Sequence, residues 1–270
     1  LNDIDLPENL KVVGDLAFQY AGLTSLTLPN GVQCIGKSAF ENATAMKTLT
    51  FPQDSMFISL GSLEEELSIF KGAVSLETLV LPNALSVIGK GVFENTGLKS
   101  VEMADPSAPS GLTDIGANAF RNCVNLTSFD HLGMAETIGD AAFMGCTSLE
   151  SALPAEGLEY MGAMAFAFCN NLKETYIPKS VTTLGGNPYA GFASDRVNVA
   201  DDHANLTVER KDGVLTIYDA SRTTLLAVYG ATGEYVFDQG IARVASGALA
   251  GNAITAAVLP ANIACIEDYI

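Results

Sequence analysis

The sequence predicts an α/β solenoid: a parallel sheet with one short helical turn per repeat of about 23 residues, and a β-hairpin insert near the C-terminus. Three observations predict it. A corner motif, Gly-x-x-Ala-Phe, recurs at Gly14–Phe18, Gly36–Phe40, Gly116–Phe120, Gly139–Phe143 and Gly162–Phe166. A strand motif ending in Leu-Pro or a close variant recurs at Leu23–Pro29, Met46–Pro52, Leu76–Pro82 and, with Thr175 inside it, Leu172–Pro178. The ring of the corner motif then repeats as Phe18, Phe40, Phe70, Phe93, Phe120, Phe143, Phe166, Tyr189 and Leu249, with gaps of 22 or 23 dominating. A unit this short cannot bury its apolar face alone, so neighbours must stack.

One unit illustrates the elements in order. Leu26 and Leu28 alternate with Ser25 and Thr27, which makes a short strand with one apolar face. Pro29 lacks a donor and ends it, and Asn30-Gly31 turns the chain. Val32 and Ile35 return to the core in a second extended segment, and Gly36 suits a tight corner. Ser38–Glu41 is too short for an independent helix but long enough for one helical turn whose Phe plugs the interior. Loop insertions are expected at about 53–67, carrying Glu64–Glu66, and at about 105–111, carrying Pro106 and Pro109; the third repeat shows Glu66 where a corner Gly is expected. The period breaks at about 205–234, where Asp212-Gly213 between apolar alternations signals a hairpin. It resumes at Tyr235-x-Phe237, and a last strand is expected at Ala257–Pro260. The chain, 1–270, therefore reads as one solenoid of roughly ten rungs.

Composition narrows the partners. With 14 basic against 31 acidic side chains the net charge is −17, which repels nucleic acid and anionic membranes. No apolar run reaches the ~18 residues of a membrane span. The chain begins at Leu1 in mid-repeat, without a signal-peptide pattern, and is expected to be a trimmed product. Cys123, Cys146 and Cys169 occupy a slot that holds Ala21, Ala43, Ala73 and Thr96 in other repeats, so buried thiols are the favoured reading. Rungs ~4.8 Å apart also leave Cys123–Cys146 or Cys146–Cys169 pairing open. The thiols lack the paired spacing and the His of a zinc site.

The pattern Ile115-Gly116-x-x-Ala119-Phe120-x-x-Cys123-x-x-Leu126, repeated at Ile138–Leu149, resembles the BspA-like leucine-rich repeat family. The resemblance covers nearly the whole chain. It implies a leucine-rich-repeat fold, export, display on a bacterial surface, and adhesion or binding to host or microbial proteins, with no catalytic residues or cofactor. The chain departs from commoner leucine-rich repeats in one respect: the slot that usually holds Asn is Gly31, Asp54, Ala84 and Ser180, with Asn only at Asn262.

Catalytic signals are weak. His131 beside Asp130, and His203 after Asp201-Asp202, have no neighbouring nucleophile pattern. Glu64–Glu66 and Asp201-Asp202 match no calcium loop and read as solvated charge. Asn42-Ala43-Thr44, Asn125-Leu126-Thr127 and Asn205-Leu206-Thr207 have the form of glycosylation sites. The best binding candidate is the exposed sheet face. Alternation places Ser25, Thr48, Thr78, Ser100, Ser128 and Ser151 in one row, where hydroxyls also simply suit strand surfaces. The second row, Thr27, Thr50, Val80, Glu102, Asp130, Tyr176 and Asn198, changes chemistry from rung to rung. Glu102, Asp130, Glu174 and Tyr176 are the expected partner-facing residues. A glycan ligand and a structural spacer are the competing readings; the absence of Trp weakens the first.

Overall fold

The computed structural model describes residues 4–51 and 58–268. It is a parallel β-solenoid of about 11 turns. The strands Ser25–Thr27, Thr48–Thr50, Thr78–Leu81 and Ser100–Met103 form one parallel sheet. Their register pairs Ser25 with Thr48, Thr78 and Ser100, and Thr27 with Thr50, Val80 and Glu102. The bridge Ser128–Ser151 carries the first row onward. Leu26, Leu49, Leu79 and Val101 point inward, as alternation requires.

The second extended segment of each unit is a two-residue strand. Ser59–Leu60, Val87–Ile88, Asp114–Ile115, Thr137–Ile138, Tyr160–Met161 and Thr183–Leu184 form a six-stranded parallel ladder. Gly139 follows one of them because there is no room for anything larger: a Cβ there would lie 2.4 Å from the Ala117 amide nitrogen on the preceding rung.

The expected helical turn is absent, which moves the fold from α/β to nearly all-β. Among the described residues the only helices are short 3-10 turns at Leu132–Met134 and Ser194–Arg196. The reason lies in where the donors go. Ser38, Phe40 and Asn42 donate to the Leu67, Ile69 and Lys71 carbonyls of the next rung, at 2.8, 2.9 and 2.8 Å. Ala39, Glu41 and Ala43 donate back to Gly36, Ser38 and Phe40. The segment is thus a chain of β-turns stitched to its neighbour, with Ser38 and Asn42 at φ 53° and 55°. The same left-handed positions hold Asn95, Asn118, Asn122 and Asn187, or glycine, on several rungs, the residues that tolerate that conformation best, and Leu16, Tyr20, Ser68, Ala141, Met164 and Phe168 on others. Asn122 donates to Asn95 at 3.1 Å.

The predicted ring column exists. Phe18, Phe40, Phe70, Phe93, Phe120, Phe143, Phe166 and Tyr189 stack with centroids 5.1–5.4 Å apart. Tyr189 closes it, and its hydroxyl donates to the Tyr176 carbonyl at 2.9 Å. Leu249 falls outside the column and packs in a second core cluster with Phe237 and Val244. Cys123, Cys146 and Cys169 are free and buried. Each thiol donates to the carbonyl of the preceding rung's Phe, at 3.0–3.1 Å.

Of the expected insertion at 53–67, residues 53–57 lie outside the described residues. The third repeat does have its corner glycine: it is Gly61, placed by the pairing of Leu60 with Ile88. The extra residues sit between Gly61 and Phe70, so alignment on Phe70 alone misplaced the corner at Glu66. The C-terminal insert is an antiparallel meander of Leu206–Lys211, Val214–Asp219 and Thr224–Tyr229. Asp212 and Gly213, at φ 52° and 80°, make its first turn. The third strand then pairs in parallel with Arg243–Val244, returning the chain to the stack.

Candidate functional site

The sheet face carries a groove of about 950 Å³. Glu102 and Asp130 both line it, with Val80 and Met103 from the strands, Pro106 and Pro109 from the 105–111 loop, and Met134 after His131. Local sequence fixes each wall. The Asn83 side chain donates to the Asp105 carbonyl at 3.0 Å and accepts the Asp105 N–H at 2.8 Å, pinning the loop to the previous rung. Asp105 in turn accepts the Ser107 N–H and hydroxyl, at 2.9 and 2.6 Å. These bonds, the hydroxyl first, hold its carboxyl below the usual range. On the other side the His131 Nε2 meets the Val101 carbonyl at 2.9 Å, and its ring packs edge-on against Phe129. His131 is thereby a structural strut between rungs.

Glu102 and Asp130 are exposed on neighbouring rungs. Ser100 contacts Glu102 at 3.5 Å, and the Ser151 hydroxyl donates to Asp130. Neither carboxylate forms an ion pair with any described residue. Glu174 and Tyr176 lie on later rungs and do not line this groove. Glu174 is exposed, whereas Tyr176 is half-buried. The Tyr176 hydroxyl donates to Glu156 at 2.8 Å, which pushes its pKa up. Glu156 also accepts the Lys179 and Ser180 N–H groups, both at 3.1 Å. Its carboxyl is held below the usual range by the Tyr176 hydroxyl first and these amides next.

A second cavity, of about 870 Å³, lies where the insert rejoins the stack. Met144, Tyr160, Met164, Phe168 and Leu226 are among its walls. Its polar groups are largely matched to one another. Tyr160 donates to Asp140 at 3.0 Å, and burial together with that carboxylate raises the phenol pKa to about 12. Arg243 pairs with Glu267. Sequence reasoning missed this cavity, although one signal was present: Phe168, like Tyr20, is an aromatic residue in a left-handed slot where the other rungs carry Asn or Gly. Among the described residues no group of three or more His, Cys, Asp or Glu side chains is arranged to hold a metal ion. No described helix is long and apolar enough to cross a membrane.

The fold is similar to that of the pneumococcal vaccine antigen PcpA, with TM-score 0.52 and 19% identity over 96% of this chain and 60% of that one. It is similar also to a leucine rich cell surface protein from Faecalibacterium prausnitzii, with TM-score 0.51 and 19% identity over 96% of this chain and 83% of that one. This chain thus spans 60% of the pneumococcal antigen's length, and at such identities the likeness is one of fold. No curated protein matches the chain. The model of the BspA type leucine rich repeat region matches in 6 copies over residues 1–105 and 64–194, and the chain belongs to that family.

Proposed function

We propose that the chain is a non-enzymatic protein-binding module, working as one continuous body outside a bacterial cell and serving adhesion. Its partner docks on the exposed sheet face beside the 105–111 loop. The observation that carries this reading is the groove. It joins apolar walls to two carboxylates that no described base neutralises, on strands and a loop that are already fixed before any partner arrives. Rigid solenoid faces are extended binding surfaces, and pre-organised walls lose little entropy on association. Glu174 and Tyr176 extend the same face along the stack. The relatives in fold, a surface protein and a vaccine antigen, agree with display outside the cell. Glycan binding is the second reading. One observation favours it: Tyr160 and a partly exposed Phe168 ring at the second cavity.

Labelled protein on an array of extracellular-matrix proteins and glycans separates the two. Saturable binding to a protein, lost in Glu102→Lys and reduced in Tyr176→Ala, is the expected outcome. Binding confined to glycans, unaffected by Glu102→Lys, would overturn it.

A further inference from the structure

We infer that the groove takes an arginine side chain of the partner protein, its guanidinium bridging Glu102 and Asp130; this rests on the docking face proposed above. The strand pairing sets Val80 beside Glu102, and Asp130 lies one rung further on. Both carboxylates are exposed and line the same groove, where like charges repel. No Lys or Arg among the described residues lines the groove to relieve them. A chain of net charge −17 adds to the same potential. The face is therefore complementary to a cation.

Shape and chemistry choose which cation. A guanidinium is planar and presents its donors as a fork that reaches two carboxylates at once, whereas an ammonium is a compact point charge. The walls suit the rest of an arginine and its neighbours. Val80, Pro106 and Pro109 offer apolar surface to the methylene stem, and Met134, 60% exposed, offers a soft contact for an adjacent aliphatic residue. Ser151 holds one Asp130 oxygen, which orients that carboxylate.

The test uses two capped peptides, acetyl-Gly-Pro-Leu-Arg-Leu-Gly-amide and the same peptide with citrulline, the neutral isostere, in place of arginine. They are titrated into ¹⁵N-labelled protein. Saturable shifts centred on residues 100–104 and 128–133 are expected with arginine, and about tenfold weaker binding with citrulline. Glu102→Gln and Asp130→Asn should each weaken the arginine peptide about tenfold. Glu8→Gln, on an exposed residue far along the chain, should leave it unchanged. Both groove carboxylates are exposed, so folding of these variants is expected and is checked by circular dichroism. Equal binding of the two peptides, or shifts that survive both substitutions, would overturn the inference. A protein partner from the array distinguishes this failure from failure of the face itself. Binding lost in Ala108→Arg, which fills the groove, but kept in Glu102→Gln and Asp130→Asn would overturn arginine and retain the face. Binding kept in Ala108→Arg as well would overturn both.

Discussion

At the scale of single residues, Asn187 decides how the insert is joined to the solenoid. It is fully buried at φ 45°, and its Nδ2 donates to the Val228, Ala248 and Ala250 carbonyls at 3.4, 3.3 and 2.9 Å. Its Oδ1 has no partner, a cost that those bonds offset. Asn187→Ala should cost about 2–3 kcal/mol, read from the urea midpoint. His203 works by proton placement. Its Nε2–H donates to the Pro178 carbonyl at 3.0 Å and its Nδ1 accepts the Asn205 N–H at 3.2 Å, so the neutral ring satisfies both. Burial holds its pKa below the usual 6.5. The unfolded chain therefore takes up the proton first. The contribution is complete above pH 6.5 and is lost as pH falls through the lower, folded value. A His203 proton resonance titrating below pH 6.5, and a loss of stability below that pH that His203→Gln removes, are the expected results. The thiols divide by burial. Cys34 and Cys265 should react promptly with a thiol reagent in the native protein, and Cys123, Cys146 and Cys169 only on unfolding.

At the scale of elements, the strands were legible because alternation is a local signal: Leu26 and Leu28 beside Ser25 and Thr27 name both faces. The turn segment was not, for a physical reason. Spacing in Gly36–Asn42 fits one helical turn, but three of its seven N–H groups bond to the next rung, a contact that lies outside the segment. The Asn residues of the turn slots were the available clue, since Asn42, Asn95 and Asn122 each take a positive φ. In the same way Glu66 falls where the corner belongs when the register is set by Phe70; the partner of Leu60 on the next rung is what places the corner at Gly61. The insert was readable from Asp212-Gly213 and its flanking alternation, but its docking through Asn187 was not, because the bonded carbonyls lie 41 to 63 residues away. The site was half legible. Alternation puts Glu102 and Asp130 on one row of the candidate face, and the structure adds groove walls around these two that Glu174 and Tyr176 do not share.

At the scale of the whole molecule, stability is a column of nearest-neighbour contacts, so each ring supports the rungs on both sides. Phe143 stacks on Phe120 and Phe166, each at 5.1 Å, and also meets Phe129. Phe143→Ala should cost about 3–5 kcal/mol. Phe18, partly exposed at the end of the column with Phe40 as its one stacked neighbour among the described residues, should cost distinctly less by the same denaturation assay. A column built this way holds the sheet face rigid, which makes a fixed groove available to a partner. The most direct measurement is hydrogen exchange on the complex with the strongest protein ligand from the array. Slowed exchange centred on residues 100–111 and 128–134, with weaker protection reaching residues 174–176, is the predicted footprint. Protection that falls on the Tyr160–Phe168 cavity instead, with residues 100–111 and 128–134 unchanged, would contradict the docking face.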